Sequence, residues 1–540
     1  MPAEPAMPVL LHDLLTRQHE NPAIALRDAG HAMSYQAMHR HAVAIAHRLL
    51  ANGVSPGDRV AIYLPKGLLE CCALFAASLA GAVFVPVNPL LKGPQLAHIV
   101  GDCEARVLIA DDALWAAAQA DLAGAGLAPV VLPASSLSID DSPPFAGGPD
   151  GDAGRQSDPA LAAATARVLG EDLAAILYTS GSTGRPKGVM LTHANLLAGA
   201  RIVRTYLGIS AADRLLSILP LSFDYGLNQL ITTVEQGAEL VPFTFRFGDE
   251  IVSALARYQI TGMAGVPTIW AILTQAAPSL RKTPLPGLRY ITNSGGPVPS
   301  KTVSRLRELL PQTGVVLMYG LTEAFRSTWL DPRELDRRPT SIGKAIPECE
   351  VFVVTEDGRR AAPGEPGILV HRGPTVSRGY WRRPQDTARV LRPNPLRPAD
   401  EGADTVCWSG DLVTMDDEGF LYFVGRNDAM IKSSGYRISP AEVEEALMAS
   451  GRLRQVAVIG LPDPVIGQRV HAIAIALDGD APPDVRALLR ECAATLPAYM
   501  LPRDIELVDA LPLSPNGKVD HKALAAARAP AAASNTVPGA

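Results

Sequence analysis

Through the first three-quarters of the chain, short apolar runs alternate with longer stretches of helical spacing. Val60–Leu64, Ala82–Val87, Val107–Ala110 and Leu173–Leu177 are apolar runs of strand length. Helical patterns separate them, so the spacing predicts an α/β architecture with a mostly parallel sheet flanked by helices. Cys71–Leu91 carries no charge and is long enough to raise the question of a membrane span. Gly81, Pro86, Asn88 and Pro89 break it, and it reads as a buried helix, Leu68–Leu79, turning into the strand Ala82–Val87.

Residues 133–168 differ, being Ser, Asp, Pro, Gly and Ala with few large apolar side chains, and read as a surface excursion. A second pattern begins at Gly425-Arg-Asn-Asp428: a charged helix Pro440–Met448, strands Gln455–Ile459 and Ala472–Ala476, and a helix Pro483–Thr495. The expected boundaries are a large N-terminal domain over 1–425, a small α+β domain over 426–528, and an Ala/Pro/Ser-rich disordered tail over 529–540.

Composition narrows the class. A chain of 540 residues, 47% apolar and 19% charged, can bury a large core as a soluble globular protein. Its net charge of −6 gives no general pull toward nucleic acid or acidic membranes. Six cysteines (71, 72, 103, 349, 407, 492) show no metal-ligand spacing and read as reduced thiols, with Cys407 a candidate for redox sensitivity. The N-terminus lacks the basic start and apolar core of a signal peptide, so the expected location is the cytoplasm.

The candidate chemistry centres on Tyr178-Thr-Ser-Gly-Ser-Thr-Gly-Arg-Pro-Lys-Gly-Val189, read as a loop between a buried strand and a helix that Thr192 caps. Gly181 and Gly184 let backbone N–H groups turn toward an anion, Thr179, Ser180, Ser182 and Thr183 add hydroxyl donors, and Lys187 adds a positive charge. Pro186 and Gly188 flank the lysine, so this is not a Walker A loop. Composition alone would also allow a flexible linker.

The loop resembles the phosphate loop of the AMP-forming acyl-CoA ligase, amino-acid adenylation domain and luciferase superfamily, the adenylate-forming enzymes. Further motifs occur in that family's order: Glu365-Pro-Gly-Ile-Leu-Val-His-Arg-Gly-Pro374 with Gly379-Tyr380, Ser409-Gly-Asp411, Gly425-Arg426, Gly435-Tyr-Arg-Ile438 with Glu442 and Glu444, and Pro515-Asn-Gly-Lys518. Tyr319–Leu330 and Ser341-Ile-Gly-Lys-Ala345 also resemble ligases found with bacterial exosortase systems.

The resemblance implies a reaction and a site. A carboxylate is activated by ATP as an acyl-adenylate, pyrophosphate leaves, and a thiol then displaces AMP. An anion must approach a polyanion, and one unit-charge pair at 4 Å costs roughly 4 kcal/mol at an effective dielectric of 20. The site therefore needs fixed donors, a metal and a movable cation. By resemblance, Thr179–Gly184 and Lys187 hold the phosphates, Glu323 binds Mg2+, and Thr322 contacts the α-phosphate. Tyr319, with Gly320, stacks on adenine beside a wall of Gly295, Gly296 and Pro297. Asp411 accepts the ribose hydroxyls with Arg426 behind it, and Lys518 is the catalytic lysine. On its own, Lys518 would pass as a turn lysine after Asn516-Gly517. The small domain is implied to be a mobile lid, with Asp428 at its hinge and Ser434, Gly435 and Tyr436 lining a pantetheine tunnel.

Phe223, Asp224, Gly226, Val266 and Pro267 are implied to shape the acyl pocket. Many acyl-CoA ligases carry Pro-Leu-Phe-His where this chain reads Pro220-Leu-Ser-Phe-Asp224; Phe223 fills the His position and Asp224 follows, a pair that resembles amino-acid adenylation domains, where the aspartate grips an ammonium. Asp224 can equally face solvent or cap the next helix. Two readings remain: an acyl-CoA ligase, or a stand-alone adenylation enzyme that loads the phosphopantetheine arm of a carrier protein. A nucleotide sensor without catalysis is disfavoured by Glu323, Asp428 and Lys518 all being present.

Overall fold

A computed structural model describes residues 7–137, 158–179, 185–296, 298–397, 404–426, 430–477, 483–512 and 519–528. The chain forms a large unit, Met1–Thr179 with Pro186–Asn427, and a small one from Asp428 to Ala540.

The large unit contains a six-stranded sheet in the order Val130–Pro133, Ala105–Ala110, Arg59–Tyr63, Val83–Pro86, Leu173–Thr179, Lys187–Thr192. Its first five strands run parallel and the last is antiparallel. All four strands read from the apolar runs lie here. Helix Leu68–Leu79 spans the residues read for it and buries nearly every side chain, which is why its sequence shows no polar face. Among the described residues no helix is long and apolar enough to cross a membrane.

A second, longer sheet carries the candidate site. Its core strands Glu239–Pro242, Arg214–Ser217, Gly262–Gly265, Tyr290–Asn293 and Gly314–Tyr319 are parallel neighbours. Past Tyr319 the sheet continues through antiparallel strands, including Leu421–Arg426, Thr405–Met415 and Gly367–Arg372. The apolar runs predict a mostly parallel fold, and the antiparallel meander is where that reading falls short. Its strands mix buried with partly exposed positions and lack the continuous apolar runs that marked the parallel strands.

The loop at Ser180–Gly184 lies outside the described residues, as do Pro297, Asp428 and Lys518. The loop does not lead straight into a helix. Lys187–Thr192 is a strand paired antiparallel with Leu173–Thr179, and helix His193–Leu207 begins only after it. Thr192 is the cap, its Oγ1 accepting from the Asn195 N–H at 3.0 Å.

The small unit is α+β. A long hairpin pairs Leu453–Asp463, at the edge of its sheet, with the central strand Gly467–Ala476. Helices Pro440–Met448 and Val485–Thr495 bury Val443, Leu447, Leu488 and Cys492 against its strands. The hairpin strands extend past the runs read from sequence because their outer residues pair while one side chain in two faces water.

Candidate active site

In an open parallel sheet, ligands sit beyond the carboxyl ends of the strands. Four strand ends of the second sheet lead to candidate residues here. Arg214–Ser217 leads into Pro220–Gly226, Gly262–Gly265 into Val266-Pro267, Tyr290–Asn293 into Gly295-Gly296, and Gly314–Tyr319 ends on Tyr319.

Tyr319 donates its hydroxyl to Asp411 Oδ2 at 2.5 Å, and both residues are buried. Asp411 is positioned further by its own N–H, which donates to Ser409 Oγ at 3.0 Å. The strand register sets Asp411 opposite Arg426. The Gly295-Gly296 turn has φ +82° at Gly295, a left-handed conformation that suits glycine. Asn293 holds the turn, donating from Nδ2 to the Gly296 carbonyl at 3.0 Å while accepting from Trp270 Nε1.

Glu323 stands in the turn after Tyr319 and is buried. Its Oε1 accepts from the Tyr380 hydroxyl at 2.5 Å. The face of the same tyrosine carries Lys187, whose Nζ lies 5.5 Å from the ring centroid and 3.0 Å from Asp386 Oδ2. Tyr380 thus links the lysine of the phosphate loop to the acidic candidate ligand. Among the described residues no three His, Cys, Asp or Glu gather at metal-binding distance. A single buried carboxylate still fits Mg2+, which is commonly held by one or two carboxylates plus the substrate's phosphates.

Asp224 is largely buried and does not cap a helix. Phe223 is the N-cap of helix Asp224–Gln236, and Asp224 is its first residue. Burial raises the Asp224 pKa, against the pull of Arg326 and with a push from Glu323. Arg326 lies 3.8 Å away. Gly226 is required by close approach, since a Cβ there would overlap the carbonyl oxygen of Pro220. In the small unit, Ser434 (φ +52°) and Gly435 (φ +84°) form the two-residue turn between Ile431–Ser433 and Tyr436–Ile438, the double positive φ of a type I′ hairpin. Tyr436 stacks on Tyr499.

Comparison with known families gives these arrangements a common purpose. The AMP-binding enzyme model matches residues 14–381, and the AMP-binding enzyme C-terminal domain model matches 442–518. The chain belongs to the AMP-binding enzyme family. It is 35% identical over 500 residues to a feruloyl-CoA synthase of Amycolatopsis sp, covering 92% of this chain and 94% of that one. It is 32% identical over 513 residues to an L-proline–[L-prolyl-carrier protein] ligase of Pseudomonas fluorescens, covering 93% and 95%. Among solved structures, o-succinylbenzoate CoA synthetase of Bacillus subtilis superposes with a TM-score of 0.80 at 25% identity, over 95% of this chain and 98% of that one.

Within this AMP-binding enzyme, Cys407 is no redox sensor. It is fully buried, and burial with the nearby Glu323 charge pushes its thiol pKa well up, so it holds no reactive thiolate. Sequence reading missed Tyr380, His371 and Arg326 as site residues although each stands in a quoted motif, and it missed Asp386 altogether. His371 stacks on Tyr319 with centroids 6.0 Å apart and planes 15° from parallel. For Arg326 a signal existed: a lone arginine directly after Glu323-Ala-Phe325, in an apolar stretch.

Proposed function

We infer that the protein is an ATP-dependent, AMP-forming acid–thiol ligase. It activates a carboxylic acid as an acyl-adenylate with release of pyrophosphate, then transfers the acyl group to CoA. The observation that carries this is the family match across both the large and the small unit. Relatives that make CoA thioesters, of feruloyl and o-succinylbenzoate by their names, support CoA as acceptor.

The roles assigned here rest on the geometry of the described residues and, for Ser180–Gly184, Asp428 and Lys518, on the family resemblance alone. Tyr319, fixed by Asp411 beneath it, offers a rigid edge for adenine beside the Gly295-Gly296 turn. Asp411 keeps the ribose hydroxyls in register with that edge, with Arg426 opposite. Glu323, oriented by Tyr380, holds Mg2+, which when bound offsets phosphate charge. Thr179–Gly184, Lys187 and Thr322 supply donors to the phosphates, and Gly320 keeps the adenine edge clear of a side chain. Phe223, Gly226, Val266 and Pro267 border the acid. Lys518 approaches the carboxylate and α-phosphate in the first half-reaction. The small unit then turns about Asp428, and Ser434, Gly435 and Tyr436 admit the pantetheine arm. The unpaired cysteines fit a reducing compartment, the cytoplasm.

A carrier protein in place of CoA is the second reading, favoured by the proline-carrier ligase relative. Asp224 is less free to grip an ammonium than its motif suggests, because the Arg326 guanidinium lies 3.8 Å from it. The two-step mechanism is tested with Lys518→Ala. Adenylate formation should fall on the order of 10²–10³-fold, the usual loss of one charge-stabilising donor. Thioester formation from a supplied acyl-adenylate should stay near wild type. Equal loss in both steps would sink the two-step assignment.

A further inference from the structure

Arg326 is 3% exposed, and one edge of its guanidinium is unsatisfied. Its Nε has no hydrogen-bond partner among the described residues. Asp224 Oδ2 stands 3.8 Å from Nη1, an ionic contact beyond hydrogen-bond reach. The guanidinium lies over the Tyr225 ring, 4.5 Å from its centroid, which steadies the charge but occupies none of its N–H groups. A guanidinium cannot shed its charge by losing a proton. Leaving buried donors unmet costs about 1–3 kcal/mol each, more for a charged group.

A second unpartnered donor belongs to the same surroundings. Asn228 Nδ2 is buried without a partner, while Asn228 Oδ1 accepts from Thr232 Oγ1 at 3.4 Å. Arg326 and Asn228 line one internal cavity with Tyr225, Thr292 and Met318. Met318 precedes Tyr319, and the Asp224 carboxyl feels both Arg326 and Glu323, so the cavity adjoins the proposed reaction site. It leaves about 20 Å³ for the centres of water-sized groups, enough for one small head and too little for a long alkyl tail.

We propose that Arg326 and Asn228 form a subsite for a second carboxylate on the substrate, so that the acid activated is a short dicarboxylic acid. This subsite rests on the ligase reading. Two carboxylate oxygens match the fork of a guanidinium, and the Nε edge, away from Asp224, is the edge left open. A plain alkyl acid would bury that edge against methylenes and leave the donors unmet.

The test compares short α,ω-dicarboxylates with their monomethyl esters and with length-matched monoacids, by ATP-dependent hydroxamate formation. Wild type should favour the diacid by roughly tenfold or more in kcat/KM, since a site built around polar donors rejects analogues that lack the acceptor. Arg326→Met should erase that preference, chiefly by raising KM for the diacid, while monoacid turnover persists. Asn228→Leu should weaken it in the same direction, and decides the matter if Arg326→Met does not fold. Equal use of diacid and monoacid by wild type would overturn the subsite and leave a bound water as the cavity's occupant. So would an unchanged preference in the variants. Preference for the half-ester equal to the diacid would also overturn it, in favour of a neutral carbonyl reader. If no acid is turned over, the ligase reading fails separately. Diacid binding is then read by thermal shift: stabilisation of wild type but not of Arg326→Met supports the subsite, and no difference overturns it.

Discussion

At the residue scale, buried polar side chains bring the site together, and most meet partners far away along the chain. Tyr380 reaches back to Glu323 and to Lys187, and Tyr319 reaches forward to Asp411. His371 is the exception, because neither ring nitrogen has a hydrogen-bond partner among the described residues. Burial alone pushes its pKa down to about 3, from an ordinary value of 6.5. The sign is direct: below pH 6.5 the unfolded chain takes up a proton that the folded chain refuses. Stability is therefore full above pH 6.5 and is lost as pH falls toward 3. At pH 5 this histidine should cost about 2 kcal/mol relative to pH 7. Urea unfolding at both pH values should show a shallower loss in His371→Leu than in wild type. Identical pH dependence would contradict the assignment. In the sequence, Glu323 and Asp411 could be singled out because their motifs are local. The Asp386 ion pair and the His371 ring stack could not be, since nothing local marks a contact made across the fold, even though His371 stands in a quoted motif.

At the element scale, the helix after Pro220-Leu-Ser-Phe-Asp224 shows how a backbone contact sets a pocket. Gly226 sits in its first turn, where a Cβ would overlap the Pro220 carbonyl oxygen and lie 2.8 Å from that of Leu219. Any side chain must push the helix start away from the segment that carries Phe223 and Asp224. Gly226→Ala should therefore lose about 1–3 kcal/mol of stability, as overpacking does. It should also raise KM for the acid more than for ATP. Wild-type melting and KM would show the contact to be slack. Helices Leu68–Leu79 and Pro440–Met448 were readable to the residue because breakers or a proline mark their ends. The strand Lys187–Thr192 was not, because six residues beside a helix cap carry little periodicity, and its pairing with Leu173–Thr179 determines its form.

At the scale of the whole molecule, the parallel strands of the second sheet deliver the acid, adenine and metal candidates to one side. The antiparallel strands beyond them bring Asp411 alongside. The ordered motifs made this organisation recognisable, whereas apolar periodicity alone would have stopped at a parallel α/β domain. An enzyme so built cleaves ATP between its α- and β-phosphates only when an acid is present. Product analysis of the purified protein with Mg2+, ATP, hydroxylamine and a panel of acids puts this to the test. Acid-dependent, equimolar AMP, pyrophosphate and acyl hydroxamate are the expected products. ADP and phosphate as products, or pyrophosphate release indifferent to every acid, would contradict it.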